Sequence, residues 1–220
     1  MSFIIESRGS DSPLIETVWR TESAEAGSFI SSADIHCGIV LTRYQGKTTV
    51  TVKGPETKAS PASFPADAEY FGIVFRPGTF LPHLLPKHLA DRRDFVLPDA
   101  SSKTVWLQGS VWELPSFENA DTFVNRMARE DLLVHDAIVT SVLQEQPQSL
   151  SVRAVQYRFL RATGMTYSTA YQITRAQRAV TLLRKGISIL DTVYEAGYYD
   201  QAHLTRSLKR FAGQTPAQVS

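Results

Sequence analysis

The apolar residues of this sequence change their spacing near residue 115, and no other feature constrains the fold as strongly. Before that point, β-branched and aromatic residues form short runs that are separated by turn-forming residues. After it, apolar residues recur at intervals of three and four, and glycine is absent from Ser110 to Thr163. Because side chains repeat every two residues in a strand and every 3.6 in a helix, the sequence predicts a β-rich part followed by a helical part.

Four segments of the first part predict strands, at residues 13–20, 35–44, 47–53 and 70–76. They are rich in valine, isoleucine, threonine and aromatic residues, and turn-forming residues separate them. This pattern favours an antiparallel sheet in the form of a half-closed barrel. Between residues 80 and 115, four prolines interrupt every periodic pattern, so the sequence leaves that segment undefined.

The fold class that follows is α+β. An N-terminal antiparallel β-rich domain, half-barrel in form, covers residues 1–115, and an all-α domain covers residues 116–220. The helical spacing of Phe123, Val124 and Met127 supports the start of the second domain. From residue 116 onward we expect helices throughout.

The formal net charge of +1 conceals an uneven distribution of charged residues. The segment 150–220 carries ten basic residues and three acids, whereas the preceding residues carry 13 basic residues and 19 acids. A basic module of charge +7 is therefore attached to an acidic module of charge −6. This asymmetry is typical of a protein in which one module binds a polyanion and the other has a different task.

The composition excludes several classes of protein. With 43% hydrophobic and 20% charged residues, the chain has enough apolar side chains to bury a core. No run of 18 apolar residues occurs, and the opening residues MSFIIESRGSD lack the pattern of a signal peptide. The single cysteine, Cys37, excludes an internal disulfide and a four-cysteine zinc site. We therefore expect a soluble cytoplasmic protein.

The segment from Ser188 to Pro216 carries the clearest local signals. Ser188 and Asp191 have the spacing of a capping box, which predicts the start of a short helix. Gly197 can adopt the positive φ that ends this helix, and Asp200 is a suitable N-cap for the next one. The segment therefore predicts two short helices that are joined by a tight glycine turn.

The second of these helices has two distinct faces. Leu204, Leu208 and Phe211 occupy positions i, i+4 and i+7, so they face the core and leave amide, hydroxyl and cationic side chains outside. Such groups match the edges of bases in a major groove and the phosphate oxygens. A helix, a turn and a basic second helix is the usual arrangement for contacts with bases. A solvated helical hairpin has the same spacing, and spacing alone does not separate the two.

Several stretches of this segment resemble the signature of AraC/XylS-type transcription regulators. They are GYYDQAHLTR at 197–206, KRF at 209–211, GQTP at 213–216 and LSVRAVQYRFLRATG at 150–164. The last stretch is similar to the first recognition helix of that family, with Ser151 as its N-cap, and Arg175, Ala179, Leu182 and Leu183 are similar to its linker helix. The resemblance covers residues 150–219.

The resemblance implies two helix-turn-helix units that are joined by a linker helix, here residues 168–185. At ~1.5 Å per residue such a helix is about 27 Å long, which suits two major-groove segments one DNA turn apart, ~34 Å.

The resemblance also implies which side chains contact DNA. Carried over position by position, base contacts fall on Arg153, Gln156, Tyr157, Gln201, Ala202, His203, Thr205 and Arg206. Phosphate contacts fall on Arg158, Arg161, Lys209 and Arg210. For each position, a solvated surface side chain is the alternative.

The departures from the family pattern fall mainly in the first unit. Tyr157 stands where arginine is frequent, and Tyr167 stands where proline is frequent. Pro147 lies where the helix that supports the first recognition helix is expected, so that supporting helix is predicted to be short or displaced. We therefore expect weaker base recognition by the first unit than by the second.

In the N-terminal part, residues 13–21 and 71–86 are loosely similar to the sensor domain that precedes this module in some AraC-type regulators. Aromatic side chains of a β-rich domain can enclose a small organic effector. The candidates for such a pocket are Trp19, Tyr44, Phe75 and Trp106. The alternative is that these side chains fill the core.

The residue types that carry catalysis form no recognisable constellation. His36 precedes Cys37, but adjacent strand residues point to opposite faces, so we expect a buried cysteine rather than an activated thiolate. His83 and His88 have no carboxylate or cysteine partner that completes a metal site. The mixed charges at 91–94 indicate a solvated turn. We expect no catalytic residue, no metal and no cofactor.

These patterns favour a sequence-specific DNA-binding transcription regulator whose N-terminal domain senses a small effector or supports homodimerisation. Double-stranded DNA is the expected partner, with RNA polymerase as a second partner if the protein is an activator, and no membrane is involved. Two alternatives stay open. One is a ligand- or protein-binding scaffold with a degenerate DNA-binding domain, and the other is a DNA-directed repair enzyme that uses the same module to reach its substrate.

Overall fold

The computed structural model describes residues 5–91 and 95–219. The turn expected at 91–94 lies outside the described residues except for its first position, as do the first four residues of the chain. Within the two described ranges, no helix is both long enough and apolar enough to cross a membrane.

Strands occupy most of the N-terminal part, where β-branched and aromatic residues alternate with polar ones. They are β1 (Glu6–Arg8), β2 (Ile15–Ser23), β3 (Gly27–Ser31), β4 (Gly38–Tyr44), β5 (Lys47–Lys53), β6 (Ser60–Phe64), β7 (Ala68–Phe75) and β8 (Thr79–Phe80). After the short helix α1 (Pro86–Leu89) follow β9 (Phe95–Val96), β10 (Thr104–Leu107) and β11 (Ser110–Glu113).

Helices occupy most of the remaining chain. They are α2 (Ala120–Arg129), α3 (Ala137–Leu143), α4 (Val152–Thr163), α5 (Tyr167–Arg184), α6 (Ile189–Glu195), α7 (Gln201–Phe211) and α8 (Pro216–Val219). One short strand, β12 (Val134–His135), lies between α2 and α3 and pairs with β8. The expectation of helices throughout from residue 116 is therefore wrong at this point, because Val134 and His135 add a partner to a strand of the first part.

Six strands form one antiparallel sheet in the order β1-β2-β7-β4-β5-β9. Its register places Val18 opposite Ile73 and Ile73 opposite Ile39. These three side chains are at most 1% exposed, and because side chains alternate along a strand they define the inner face of the sheet. Trp112 of the β10–β11 hairpin and Phe123 of α2 cover this face, with their ring centroids 5.8 Å apart.

The strands β3 and β6 form a two-stranded ribbon that continues from the neighbouring pair β2 and β7. The junction lies between the end of β2 and the start of β7. There the Ser23 hydroxyl donates a hydrogen bond to the oxygen of Pro65 at 2.8 Å and accepts one from the nitrogen of Ala68 at 3.2 Å. The ribbon thus starts from a fixed point of the sheet.

A second core lies among the helices α4 to α7, with Phe159, Ile173 and Leu204 at its centre. Side chains of the N-terminal part belong to the same cluster, namely Ala33, Ile35 and Phe80. By contrast, α2 packs into the first core with the sheet. The α+β class is confirmed, and a domain boundary at residue 115 stays a prediction.

The four predicted strands correspond to β2, β4, β5 and β7, with ends that differ by a few residues. The segment that the sequence left undefined contains α1 and the β10–β11 hairpin. Its turn is made by Gln108 and Gly109, which have φ of 45° and 86° and so match a tight turn with two left-handed residues. The sequence signal for this hairpin was weak because its strands are only four residues long.

Candidate nucleic-acid interface

Side-chain caps fix the N-terminal ends of α6 and α7, and a glycine turn lies between the two helices. The Oγ of Ser188 accepts a hydrogen bond from the nitrogen of Asp191 at 3.1 Å and donates one to its Oδ2 at 2.6 Å. Gly197 has a φ of 70° in the turn. The Oδ1 of Asp200 accepts a hydrogen bond from the nitrogen of His203 at 2.6 Å. The predicted N-caps at Ser188 and Asp200 and the glycine turn are therefore confirmed, whereas Asp191 completes the capping arrangement through the Ser188 hydroxyl and not through the backbone nitrogen of Ser188.

The helix α7 buries one side and presents the other to solvent. Leu204 and Leu208 are fully buried, and Phe211 is 4% exposed, as their spacing predicts. At about 100° per residue, the opposite side carries polar and cationic side chains that are exposed or half-buried. We call this the α7 face, and it consists of Gln201, Ala202, Thr205, Arg206 and Lys209.

His203 lies at the edge of the α7 face and is in contact with the rest of the domain. Its ring packs edge to face against Tyr198, with centroids 5.1 Å apart. Its Nε2 lies 3.5 Å from Nη2 of Arg175 on α5. The contacts of the His203 ring are therefore with residues of the same domain. A contact of His203 with a base stays a prediction.

The helix α4 has the same two-sided arrangement with a less polar outer side. The Oγ of Ser151 accepts a hydrogen bond from the amide three residues later at 3.3 Å, which confirms the N-cap. Phe159 is buried, whereas Tyr157 is 67% exposed and Leu160 is 42% exposed. The predicted base contacts of this helix, Arg153, Gln156 and Tyr157, share this outer side, which we call the α4 face.

Arg158 differs from the other predicted phosphate contacts because it already has an anionic partner. Its Nε and Nη2 donate to the carboxylate of Asp136 at 2.9 and 2.5 Å. Asp136 also caps α3, whose Ile138 nitrogen donates to it at 3.1 Å. As predicted, this supporting helix is short, and it ends before Pro147. Arg158 therefore ties α4 to α3 and is less available to a phosphate.

The remaining predicted phosphate contacts are exposed at three different places. Lys209 lies on the α7 face. The guanidinium of Arg210 lies 4.9 Å from the ring of the adjacent Phe211, at the end of the same helix. The guanidinium of Arg161 lies 5.9 Å from the Phe80 ring of β8, at the contact between α4 and the N-terminal part.

The linker helix α5 joins the two units as one continuous helix of 18 residues. It begins and ends one residue earlier than the predicted range of 168–185. Its buried side consists mainly of small residues, so neighbouring helices can approach its backbone closely. These residues are Ala170, Ile173, Ala176, Ala179 and Leu183.

Backbone groups of the N-terminal part cap the end of α7. The last carbonyls of a helix have no partner within it. Here the oxygen of Phe211 accepts from the nitrogen of Ala33 at 2.7 Å, and the oxygen of Arg210 accepts from the nitrogen of Ala59 at 2.8 Å. Gln177 of α5 adds a hydrogen bond from Nε2 to the oxygen of Ala33 at 3.1 Å. The second unit is therefore fastened to the ends of the ribbon strands.

The first unit is fastened to the N-terminal part at a separate place. Gly164 ends α4 with a φ of 73° and lies directly against the backbone of α1. A Cβ at this position would approach the carbonyl carbon of Pro86 to 2.7 Å and the nitrogen of Lys87 to 2.9 Å. The helices α4 and α7 thus have separate contact points on the N-terminal part.

The four aromatic residues predicted to line a pocket do not lie together. Trp19 and Tyr44 are on the outer face of the six-stranded sheet, and the Trp19 ring covers Gly72. Phe75 points to the inner face and is fully buried, whereas Trp106 is 43% exposed on the separate β10–β11 hairpin. The alternation of side chains along strands separates them, and Phe75 fills the core.

A different cleft opens at the end of the inner face, beyond the first core. It has a volume of about 950 Å³. Leu41 and Phe71, which are neighbours in the register of β4 and β7, belong to its lining. The segment 115–118 forms another wall, where the guanidinium of Arg20 lies 4.6 Å from the ring of Phe117. The cleft thus combines apolar surface with charged side chains.

Groups that are capable of chemistry are buried or dispersed. Cys37 is 6% exposed, and burial raises the pKa of its thiol to about 12, so the thiol is protonated at neutral pH. The ring of His36 pairs with the carboxylate of Asp34 and not with Cys37. Within residues 5–91 and 95–219, no group of three histidine, cysteine, aspartate or glutamate side chains could hold a metal ion.

No sequence motif marks the residues that attach the two units to the N-terminal part. Ala33 and Ala59 act through backbone nitrogens, for which a sequence has no signal. Gly164 and Gly213 do follow predicted helices, which is a signal for a left-handed residue but not for a close contact. At Gly213, a Cβ would approach Cγ2 of Ile30 to 2.4 Å.

Comparison with known proteins bears on the C-terminal part above all. A family model described as a helix-turn-helix domain matches residues 148–220. Two solved structures of ToxT from Vibrio cholerae are similar with TM-scores of 0.40 and cover 97% of both chains. One has 10% sequence identity, and the other, bound to (E)-4-(8-methylnaphthalen-1-yl)but-3-enoic acid, has 9%. No curated protein matches the chain.

Proposed function

We propose that the chain regulates transcription by binding selected DNA sequences, on the premise that residues 148–220 match a helix-turn-helix family model and resemble the AraC type. The observation that carries the proposal is the two-sided build of α7. Its polar and cationic face is accessible, while Leu204, Leu208 and Phe211 anchor its back. A helix of this kind can place side chains in a major groove.

Affinity and selectivity have different sources in this proposal. The charge of +7 on residues 150–220 attracts the phosphate backbone and supplies affinity for any sequence. Gln201 and Arg206 on the α7 face supply hydrogen bonds that distinguish adenine and guanine from other bases. The α4 face offers Gln156 and Arg153 beside the exposed Tyr157 and Leu160, so it contributes fewer hydrogen bonds to bases.

The experiment that tests the proposal is selection of bound fragments from genomic DNA at physiological salt, followed by footprinting of the preferred fragment. We expect a preferred site with strong protection where α7 binds and weaker protection one helical turn away. Uniform binding of all fragments would contradict the proposal and would favour a scaffold with a degenerate DNA-binding domain.

Arg206→Ala should lower the affinity for the preferred site by about 1 to 3 kcal/mol and relax selectivity at one base pair. The reason is that Arg206 is exposed on the α7 face and can form a bidentate pair with guanine. Binding titrations against sites with single base changes measure this effect. If the variant discriminates among these sites as the original chain does, Arg206 does not contact a base.

Lys209→Ala is the matched variant for a phosphate contact on the same face. It should weaken binding to all sequences alike and reduce the slope of log K against log salt by about one unit. Arg158→Ala removes the same charge, but Arg158 is already paired with Asp136. We therefore expect a smaller change of slope for Arg158→Ala than for Lys209→Ala, and the reverse order would contradict these assignments.

We further propose that the N-terminal part senses a small organic effector in the cleft beside Leu41, Phe71 and Phe117. The cleft also reaches Ser23 and Ala68, where the ribbon begins. An effector acts only if it favours one arrangement of the recognition helices over another. The ribbon offers a route, because Ile30 and Ala59 at its other end contact the end of α7.

Selective labelling tests this route, because the single native cysteine is buried. Glu118 lies on the rim of the cleft with a 70% exposed side chain, so Glu118→Cys labelled with N-phenylmaleimide places an apolar ring there. We expect the DNA affinity to change about fivefold or more. The rates of hydrogen exchange at the backbone amides of Ala33 and Ala59 should change with it. Lys103→Cys with the same label is the control. Unchanged affinity and unchanged exchange for labelled Glu118→Cys would contradict the route.

Other parts of the proposal rest on the same premise. A DNA-binding regulator acts where the DNA is, so we propose that the protein is cytoplasmic, and a homodimer or a contact with RNA polymerase would extend its mechanism. An enzymatic role has less support, because burial protonates the thiol of Cys37 and His36 pairs with Asp34. The proposed mechanism is therefore binding and not catalysis.

A further inference from the structure

The side chain of Arg175 joins the linker helix to the second helix-turn-helix unit at two points. Its Nη1 lies 3.4 Å from the oxygen of Gly197, in the turn between α6 and α7. Its Nη2 lies 3.5 Å from Nε2 of His203, on the first turn of α7. One planar guanidinium therefore spans the turn and the start of the second recognition helix.

Aromatic rings hold this guanidinium in place. It lies 4.4 Å from the ring centroid of Tyr198 and 5.7 Å from that of Tyr171. Its Nε is buried without a hydrogen-bond partner among the residues that the structure describes. Because an unpaired buried N–H is costly, this arrangement requires compensation from the ring contacts and from the two outer nitrogens.

Tyr198 extends the same contact along α7. Its ring packs edge to face on His203, and its hydroxyl lies 2.9 Å from Oγ of Ser207, one turn further along the helix. Tyr198 and Ser207 are both buried. Arg175, Tyr198, His203 and Ser207 thus form a connected set, which we call the Arg175 cluster.

The contact also bears on the role of His203. A guanidinium has donors only, so Nε2 of His203 can take part in a hydrogen bond with Nη2 of Arg175 only as the acceptor. A histidine that accepts from Arg175 has its Nε2 engaged within the protein. It is therefore suited to hold the helix, whereas the resemblance implied a contact with a base.

We propose that Arg175 is a positioning residue for DNA recognition, which fixes the orientation of α7 through Gly197 and His203. The inference rests on the proposed DNA-binding function. Residues of the α7 face then meet their bases only while the Arg175 cluster is intact. Arg175 itself contacts no base in this scheme.

Arg175→Lys is the sharpest test, because it keeps the charge and removes the planar fork. We expect selectivity in the half-site bound by α7 to fall about tenfold or more, measured by selection from DNA that is randomised in that half-site. Selectivity in the half-site bound by α4, the salt dependence of binding and the helical circular dichroism should be retained. Arg178→Lys is the control, because Arg178 is exposed on the same helix.

His203→Ala separates positioning from base contact. If His203 contacts a base, selectivity falls at one base pair, and if it positions α7, selectivity falls at every base pair that α7 contacts. Equal losses in both half-sites for Arg175→Lys, or unchanged selectivity, would overturn the inference while the proposed function stands. Absence of a preferred site for the original chain would instead overturn the proposed function, and this inference with it.

Discussion

Gly164→Ala is expected to destabilise the protein by about 2 to 5 kcal/mol and to separate α4 from α1. Two costs combine at this position. An alanine at a φ of 73° costs about 1 to 2 kcal/mol in backbone strain. Its Cβ would also lie 2.7 Å from the carbonyl carbon of Pro86, and relieving such a clash in packed backbone costs about 1 to 3 kcal/mol.

Gly186→Ala provides the matched control. Gly186 follows α5 with a φ of 81°, and no atom lies within 4 Å of the position that its Cβ would occupy. This variant should therefore show the backbone cost alone. Urea denaturation of both variants measures the difference, which we expect to be about 1 to 3 kcal/mol. Equal losses in the two variants would mean that α1 does not press against Gly164.

Leu208→Ala is expected to cost about 3 to 5 kcal/mol of unfolding free energy. Leu208 is fully buried in the second core, and removal of its side chain loses apolar burial and leaves a cavity. Leu190→Ala makes the same chemical change at a site that is 72% exposed, so it should alter stability by less than about 0.5 kcal/mol. The comparison isolates the contribution of the buried site.

The Leu208→Ala variant also tests whether the two parts of the chain unfold together. All three tryptophans lie in the N-terminal part, whereas most helices lie in the C-terminal part. Because Ala33, Ile35 and Phe80 share the second core with Leu208, we expect tryptophan fluorescence and helical circular dichroism to shift equally. A shift of the helical signal alone would mean that residues 116–220 unfold independently, and would support a boundary near residue 115.

Local signals of the sequence were sufficient for the starts of α4, α6 and α7 and for the turn between α6 and α7. Ser188, Asp200 and Gly197 act on the backbone within three or four residues of themselves, so their roles follow from short-range geometry. The resemblance to the AraC type implied the N-cap at Ser151, which acts at the same short range. The same holds for the buried side of α7, since the spacing of its leucines sets one face. These features were predicted without knowledge of the tertiary structure, and the structure confirms them.

The position of the proposed effector site was harder to predict from the sequence, because it depends on which strands pair. Trp19, Tyr44, Phe75 and Trp106 looked equivalent as aromatic residues in a β-rich segment. The order and register of the sheet place the first two on the outer face, Phe75 inside and Trp106 on another sheet. Composition cannot supply this order, because strand pairing joins residues that are far apart in the chain.

The sequence by itself determined where α6 begins and ends and where α7 begins, which side of α7 is apolar, and that the basic residues gather in the last third of the chain. Only the tertiary structure decided that Arg158 pairs with Asp136, that Arg175 reaches His203, and that backbone nitrogens of the N-terminal part cap α7. The physical reason is the separation along the chain over which each kind of interaction acts. Capping and periodicity act over one or two turns, whereas these contacts form only after distant segments have packed into a shared core.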